Sequence, residues 1–256
     1  MGAEAYGLVG FFTMLQSCFN LLDMGLTSTM VRETSRFHSG ASDTDSYRCL
    51  VRALESIFLA VALIGMAILF GMSDYIASDW LKVRELPISE VKTAVQLIAI
   101  IVALRWMCGL YRGMVSGSER LVWLGGYNAC IGTLRFVGVI FVLKFIVITP
   151  TIFFSYQLGV AVLELVMLMV QARGLLPRIS PRKRLSWSWA FLKPVFKFSL
   201  TLAFPTFTWV LVTQTDKLVL SNILPLADYG HFTLAILVAS GVMIISEPVS
   251  LALMPR

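Results

Sequence analysis

Three charged residues stand inside long apolar runs of this chain, where a charge is costly unless it faces a partner or water. They are Arg105, Arg135 and Glu164. Leaving such a charge in lipid costs about 2.5–3.5 kcal/mol even on the most lenient insertion scale. An arginine carries a permanent positive charge on a planar fork that fits the oxygens of a carboxylate or a phosphate. These residues therefore predict buried ion pairs or a site that attracts an anionic group.

Residue counting places Arg135 and Glu164 at the same depth. The turn between their helices is centred near Thr149 and Pro150, and each charged residue lies about 14 residues from it. Two interpretations stay open at this point. One is a buried ion pair that holds the two helices together. The other is a hydrated cavity in which Arg135 and Arg105 attract an anion, while Glu164 tunes or couples the site.

The elements that carry these residues are predicted to be membrane-spanning helices. Hydrophobic residues make up 57% of the chain and charged residues only 14%, whereas soluble domains have roughly 25% charged residues. Several runs approach the roughly 20 apolar residues that cross a bilayer, and they lack the alternation of barrel strands. We predict an all-α membrane protein with about seven spans: Tyr6–Met30, Leu50–Met72, Val91–Arg112, Val122–Val147, Thr151–Ala172, Phe196–Ser221 and Tyr229–Leu253.

Polar residues at helical spacing form a stripe on most of these spans, and such a stripe must face protein or water. Asn128 and Arg135, for example, lie seven residues apart and should share a face. The candidates for a substrate-binding cavity are Arg135, Arg105, Glu164, Asn128, Gln157 and Asn20. The candidates for ion coupling are Asp23, Asp216 and Glu247.

Simpler roles compete with these assignments. Asp23 lies near the end of the first span, where it can cap a helix or pair with an arginine of the following segment. Arg112 and Lys144 can extend to the membrane interfaces. Asp216 and Lys217 can anchor the sixth span at an interface. Serines and threonines inside spans commonly hold helices together.

No motif in the sequence predicts catalysis, a metal site or a cofactor. His38 and His231 are the only histidines, and no zinc-binding, nucleophile-elbow or phosphate-loop pattern is present. The cysteines lack ligand-like spacing. We therefore expect neither an enzyme nor a metal-binding or cofactor-binding protein.

The distribution of lysines and arginines predicts an orientation. They concentrate between the first and second spans, around the third-to-fourth turn and between the fifth and sixth spans. The positive-inside rule makes that side cytoplasmic, and places the C-terminus there too. The basic pI is thus a signal of topology, and nucleic acid is not an expected partner.

A weak internal repeat links the first and last predicted spans. The sequence AEAYG at Ala3–Gly7 opens the first span, and LADYG at Leu226–Gly230 opens the last. Later in these spans come Asp23 and Glu247, each next to or near a helix-perturbing residue. Both spans are predicted to run from outside to inside. A repeat of this kind implies two halves related by an axis along the membrane normal.

Two stretches resemble a known family. The opening AEAYGLVGFFTMLQSCFNLLDMGLTSTMVRETSR resembles the second helix of bacterial polysaccharide flippases, in the multidrug, oligosaccharidyl-lipid and polysaccharide exporter superfamily. The stretch KPVFKFSLTLAFPTFTWVLVTQTDKLVLSNILPLADYGHFTLA resembles the seventh and eighth helices of that family. It includes a Gln-x-Asp-basic motif formed by Gln214, Asp216 and Lys217.

The resemblance implies an architecture and a function. It implies a partial chain without the first helix and without everything after the eighth. Its parts are an N-terminal lobe at 1–176, a basic cytoplasmic linker at 177–195 and the start of a second lobe at 196–256. The implied function is movement of an undecaprenyl-diphosphate-linked oligosaccharide across the bacterial inner membrane for O-antigen, capsule or exopolysaccharide synthesis.

Partners and rival functions follow from this reading. The expected partners are the lipid-linked oligosaccharide, the bilayer, a coupling proton or sodium ion, and other polysaccharide assembly proteins. A multidrug or cation antiporter of the same superfamily is the first alternative, although Arg105 and Arg135 argue against an acidic midplane. A seven-span receptor is the second. Against it stand the repeat, the lack of an Asn-x-Ser/Thr acceptor and the lack of an Asp-Arg-Tyr motif in the third span.

Overall fold

The described chain is helical throughout. The computed structural model describes residues 2–23, 25–145, 149–176 and 189–253, with the side chains at 145, 189–203, 205–206 and 242–253 left aside. In this part of the chain the only extended pairing is an isolated bridge between Lys82 and Pro225. The α-helices are α1 Ala3–Leu21, α2 Leu26–His38, α3 Thr44–Gly71, α4 Ser73–Tyr75, α5 Ile88–Gly117, α6 Leu121–Thr133, α7 Val139–Phe145, α8 Pro150–Leu175, α9 Trp189–Ile223 and α10 Leu226–Leu253. The π-helical segment Ile76–Trp80 follows α4, and a second one, Leu134–Gly138, connects α6 to α7.

Four described helical stretches are long and apolar enough to cross a membrane. They are Thr44–Gly71, Ile88–Gly117, Leu121–Lys144 and Pro150–Leu175, and they coincide with the second to fifth predicted spans. The pair α1 and α2 makes a fifth if it counts as one broken span. The sixth and seventh predicted spans fall in α9 and α10, partly on side chains outside the described ones. The prediction of an all-helical fold with several apolar helices long enough to cross a membrane is therefore confirmed for the described residues, and the count of seven stays a prediction.

The first predicted span, Tyr6–Met30, is not one continuous helix. Helix α1 ends at Leu21 and α2 begins at Leu26, with a bend of 54° between them. Gly25 adopts a left-handed conformation with φ 76°, which interrupts the regular helix. Asp23 closes the break, because its Oδ1 accepts the backbone N–H of Thr27 at 3.1 Å and the Thr27 hydroxyl at 2.6 Å. Asp23 thus caps α2, and the arginines of α2 contact Glu33 instead.

Helix α5 lies at the centre of the described fold. It packs against α1, α2, α3 and α8, and most of its apolar stretch is buried. Ile98, Ile101 and Leu110 are among its fully buried side chains. The neighbouring helices instead expose large apolar side chains such as Ile64 and Phe141, as expected where the surrounding medium is hydrocarbon. This central position carries Arg105 into the interior of the helix assembly.

The two repeat motifs contact each other where α1 and α10 cross. A side chain at Gly7 would meet the carbonyl oxygen of Leu226, and a side chain at Gly230 would meet the carbonyl oxygen of Ala3. Small residues allow this close approach of backbones. The fifth residue of each motif therefore packs on the first residue of the other. The contact between the two motifs is therefore reciprocal, as the predicted repeat would produce.

A loop between α3 and α5, residues 81–87, joins this crossing to the α9–α10 turn. The carboxylate of Glu4 accepts backbone N–H groups at residues 84, 85 and 86, at 2.7, 3.0 and 2.9 Å. On the other side of the loop, the Lys82 carbonyl accepts the N–H of Leu226 at 3.1 Å. Lys82 Nζ donates to the carbonyl of Ile223, also at 3.1 Å. The loop is thereby held between α1 and the α9–α10 turn.

Replacing Glu4 by alanine should destabilise the protein. Glu4 is 2% exposed, and its loss leaves the N–H groups of three part-buried hydrogen bonds without their acceptor. We expect the free energy of unfolding in detergent micelles to fall by about 3 kcal/mol. The matched control is Glu85→Ala, which removes an exposed carboxylate of the same loop and should change stability by less than about 0.5 kcal/mol. Equal stability of the two variants would contradict the assignment.

Candidate anion-binding site

A cavity of about 560 Å³ lies between α1, α5, the second π-helical segment, α7, α8, α9 and α10. Its walls are mainly apolar, and none of the described residues that line it is acidic. The polar residues that line it are Tyr6, Thr13, Gln16, Arg105, Arg135, Gln157, Lys217, Thr233 and Ser240. Arg105, Arg135 and Gln157 of the predicted substrate-binding set therefore share one space. The lining also includes positions of the predicted polar stripes on α1 and α10.

Arg105 is held in place from three directions. Its Nη2 donates to Oε1 of Gln157 at 2.9 Å, and its Nη1 donates to Oε1 of Gln16 at 3.3 Å. The guanidinium carbon lies 5.2 Å from the ring centroid of Phe12, within the range of a cation–π contact. Because Arg105 is only 8% exposed, its charge is fixed in an interior position. A ligand in the cavity meets a preorganised guanidinium.

Arg135 lies in the π-helical segment Leu134–Gly138. The wider π turn changes the backbone hydrogen-bonding pattern, and such turns often occur at functional positions. Two side chains of α8 bond the carbonyls here: the Tyr156 hydroxyl donates to Leu134 at 2.7 Å, and Gln157 Nε2 donates to Arg135 at 3.2 Å. Tyr156 fits because Gly138 has no side chain in its way. Gln157 therefore positions both cavity arginines.

A single carboxylate, that of Glu164, serves three arginines. Its Oε2 lies 2.8 Å from Arg135 Nη2 and 3.7 Å from Arg105 Nε, and its Oε1 lies 2.6 Å from Arg112 Nη2. The predicted equal depth of Arg135 and Glu164 is confirmed by this contact. The side chains of Glu164 and Arg105 are buried, whereas those of Arg135 and Arg112 are partly exposed. The predicted ion pair is therefore present, and two of the arginines that pair with Glu164 also line the cavity, where attraction of an anion stays a prediction.

The position of the Arg112 side chain differs from the expectation that it extends to a membrane interface. Its side chain does not extend to the interface but turns to Glu164, with its guanidinium carbon 5.8 Å from the Tyr127 ring centroid. Arg105 and Arg112 lie seven residues apart on α5, which places them on nearly the same face. This spacing could have indicated that Arg112 reaches the same carboxylate as Arg105. Arg112 has the carboxylate of Glu164 as its partner, with Nη2 2.6 Å from Oε1.

Lys217 lines the cavity, although an interfacial anchor was the simpler role that its position in the sequence suggested. It lines the cavity from α9, and its Nζ donates to Oε1 of Gln214 at 3.3 Å. Its neighbour Asp216 is exposed, and its carboxylate accepts the backbone N–H of Lys217 at 2.8 Å. The spacing of Gln214 and Lys217, three residues apart on one helix face, was the signal for this pair.

Other predicted site residues are not brought to the cavity. Asn128 is exposed on α6, because the π-helical turn that begins at Leu134 breaks the regular helical register assumed for it and Arg135. Asn20 is exposed one turn beyond Gln16, where α1 ends. Asp23 caps α2, as described above. The side chain of Glu247 lies outside the described residues.

The arginines leave an excess of positive charge next to the cavity. Among the described residues, Glu164 is the only carboxylate within 4.0 Å of the guanidiniums of Arg105, Arg112 and Arg135. Nε of Arg105 and Nε of Arg135 are buried and have no hydrogen-bond acceptor. Charges in such an environment require partners. The arrangement is therefore suited to an anion with several acceptor oxygens.

Comparison with known proteins adds no assignment. No protein-family model, curated protein or solved structure matches this chain.

Proposed function

We propose that this chain belongs to a flippase that moves undecaprenyl-diphosphate-linked oligosaccharide across the bacterial inner membrane, for O-antigen, capsule or exopolysaccharide synthesis. The observation that carries the proposal is that Arg105 and Arg135 line one cavity between apolar helices while sharing the carboxylate of Glu164. A diphosphate supplies both the negative charge and the oxygens that two guanidiniums can bind together. The named substrate itself comes from the sequence resemblance.

The remaining polar groups of the cavity suit the sugar next to the diphosphate. Gln16 and Gln157 offer amide donors and acceptors, and Thr13, Thr233 and Ser240 offer hydroxyl groups. The cavity volume of about 560 Å³ lies within the usual range for small-molecule sites. Such a space accommodates a headgroup, while the long lipid chain remains in the bilayer. The apolar rest of the lining lowers the local dielectric constant and so strengthens the attraction between arginine and phosphate.

The charge of the lining argues against the first rival. An antiporter for organic cations needs acidic groups at its site, whereas the described lining contains Arg105, Arg135 and Lys217 and no acid. The likeness of the two motifs that end at Gly7 and Gly230 favours two repeated halves and so argues against a receptor. A flippase is compatible with both the positive charge of the lining and the two repeated halves.

Transport by alternating access requires that the cavity open to one side at a time. Tyr6 lines the cavity and directly precedes Gly7, where α1 crosses α10, and we infer that this crossing and the loop 81–87 close the cavity at that end. The positive-inside rule makes that end periplasmic. We infer that the crossing and the loop separate when the substrate is released. In this proposal the protein is a multi-pass inner-membrane protein with a cytoplasmic C-terminus, which works with other polysaccharide assembly proteins.

Coupling to a proton or sodium gradient belongs to the same proposal. Of the coupling candidates, Asp23 is engaged in capping α2, and Asp216 is exposed beside the cavity residue Lys217. Asp216 is therefore the described candidate nearest in sequence to the lining. Glu247 remains a candidate from the sequence.

Removing a cavity arginine should stop transport without removing the protein. In a flippase-deficient bacterium that carries the full gene, we expect Arg135→Ala to reduce surface polysaccharide at least about tenfold, because a charge-assisted contact to phosphate is lost. The protein should still accumulate, since Glu164 keeps Arg105 and Arg112 as partners. Surface polysaccharide is measured by antibody labelling of intact cells, and accumulation by immunoblot of membranes.

The matched control is Lys144→Ala, which removes an exposed positive charge from the adjoining helix α7. It should leave surface polysaccharide unchanged. Normal polysaccharide in the Arg135→Ala strain would remove Arg135 from the mechanism. Equal loss in both strains would show that general charge, and not the site, matters.

Locking the loop to the α9–α10 turn should arrest the cycle. Lys82 and Pro225 are paired in a bridge, which brings backbones close enough for a disulfide. In a background in which Cys18, Cys49, Cys108 and Cys130 are alanine, we expect Lys82→Cys with Pro225→Cys to cross-link under oxidation and to block surface polysaccharide. A reducing agent should restore it.

Each single cysteine variant, oxidised in the same way, controls for the substitutions. Full transport by protein that is completely cross-linked would show that this contact does not open during the cycle.

A further inference from the structure

Glu164 and Arg112 lie next to the cavity arginines but do not line the cavity. Arg135 lines it and at the same time donates to Oε2 of Glu164 at 2.8 Å. Arg105 lines it and has its Nε 3.7 Å from the same oxygen. An anion that enters the cavity must therefore share these two guanidiniums with a carboxylate that is already in place.

The formal charge of the group formed by Arg105, Arg112, Arg135 and Glu164 is 3 − 1 = +2. No second carboxylate of the described chain lies within ion-pair distance of these guanidiniums. Nε of Arg105, in a side chain that is 4% exposed, has no acceptor. The group is thus under-neutralised before any ligand arrives. Its charge should set how strongly the cavity attracts an anion.

Arg112 contributes to the charge of this group from outside the cavity lining. It contacts Oε1 of Glu164 at 2.6 Å, whereas Arg135 contacts Oε2 at 2.8 Å. Arg112 therefore engages the half of the carboxylate that Arg135 does not use. Removing Arg112 leaves the full negative charge of Glu164 to Arg105 and Arg135. Removing the charge of Glu164 has the opposite effect.

We propose that Glu164 and Arg112 set, from outside the cavity, the affinity of Arg105 and Arg135 for a diphosphate. Glu164 is an internal anion with which the phosphates compete, and Arg112 offsets part of its charge. This inference rests on the proposed function, in which the site must release its substrate as well as bind it. Glu164 keeps the affinity low enough for release.

The test is a charge series measured by calorimetry on the purified full-length protein in lipid nanodiscs. The probe is UDP-glucose, a water-soluble diphosphate diester with about one negative charge per phosphate. Glu164→Gln raises the charge of the group to 3 − 0 = +3 and should tighten binding about tenfold. Arg112→Gln lowers it to 2 − 1 = +1 and should weaken binding about tenfold.

The double variant Glu164→Gln with Arg112→Gln has a charge of 2 − 0 = +2 and should bind between the two single variants. Lys144→Gln makes the same charge change as Arg112→Gln on the exposed face of α7 and should leave the affinity unchanged. In transport assays, Glu164→Gln should also lower the maximal rate, because release becomes slower.

A purely structural ion pair predicts a different order. Both single variants would then lose affinity and the double variant would be no better than either, which would overturn the inference. Should Glu164→Gln fail to accumulate, the comparison of Arg112→Gln with the double variant decides, since only charge compensation improves binding in the double variant. If the wild type binds UDP-glucose but the variants follow a different order of affinity, this inference alone is overturned. No binding by the wild type overturns it together with the proposed function.

Discussion

The structure depends on one buried carboxylate that must satisfy more positive charge than it carries. Glu164 of α8 pairs with Arg105 and Arg112 of α5 and with Arg135 of the π-helical segment, and so joins three helical segments. Burying the charges of Arg105 and Glu164 is costly, and ion pairing often fails to recover that cost. We propose that a further anion balances the excess of arginine. The cavity beside Arg105 and Arg135 is where this anion can enter.

The surrounding elements serve to hold these charges in place. Gln157 bonds both Arg105 and the backbone of Arg135, and therefore fixes the spacing of the two guanidiniums. The crossing of α1 and α10 at Gly7 and Gly230 adjoins Tyr6 of the cavity lining, and we infer that it closes the cavity there together with the loop bound by Glu4. A rigid charged centre and a separable closure are what alternating access requires of a transporter. The same helices thus supply both parts of the proposed mechanism.

Much of this arrangement could be predicted from the sequence, because membrane helices are regular. Counting residues from the turn at Thr149 and Pro150 placed Arg135 beside Glu164, since the rise per residue is constant. The central role of the span that carries Arg105 did not follow from hydropathy, which is similar for buried and lipid-facing helices. Local departures from the α-helix were also missed. A π-helical turn at Leu134–Gly138 changed the face of Asn128, and a break at Gly25 split the first span.

Side-chain partners were harder to predict than depth. Arg112 has an apolar stem long enough to reach either the interface or Glu164, and only the position of the carboxylate decides between them. Lys217 is similar, because its role depends on how α9 is rotated about its axis. The sequence shows which residues share a helix face, but it does not show how one helix is rotated against another.

The most direct test of the central claim is a cryo-electron microscopy map of the full-length protein in nanodiscs with undecaprenyl diphosphate. We predict density for the diphosphate in the cavity, with phosphate oxygens about 2.7–2.9 Å from the guanidiniums of Arg105 and Arg135. An empty cavity at saturating lipid, or a diphosphate bound away from both arginines, would contradict the account.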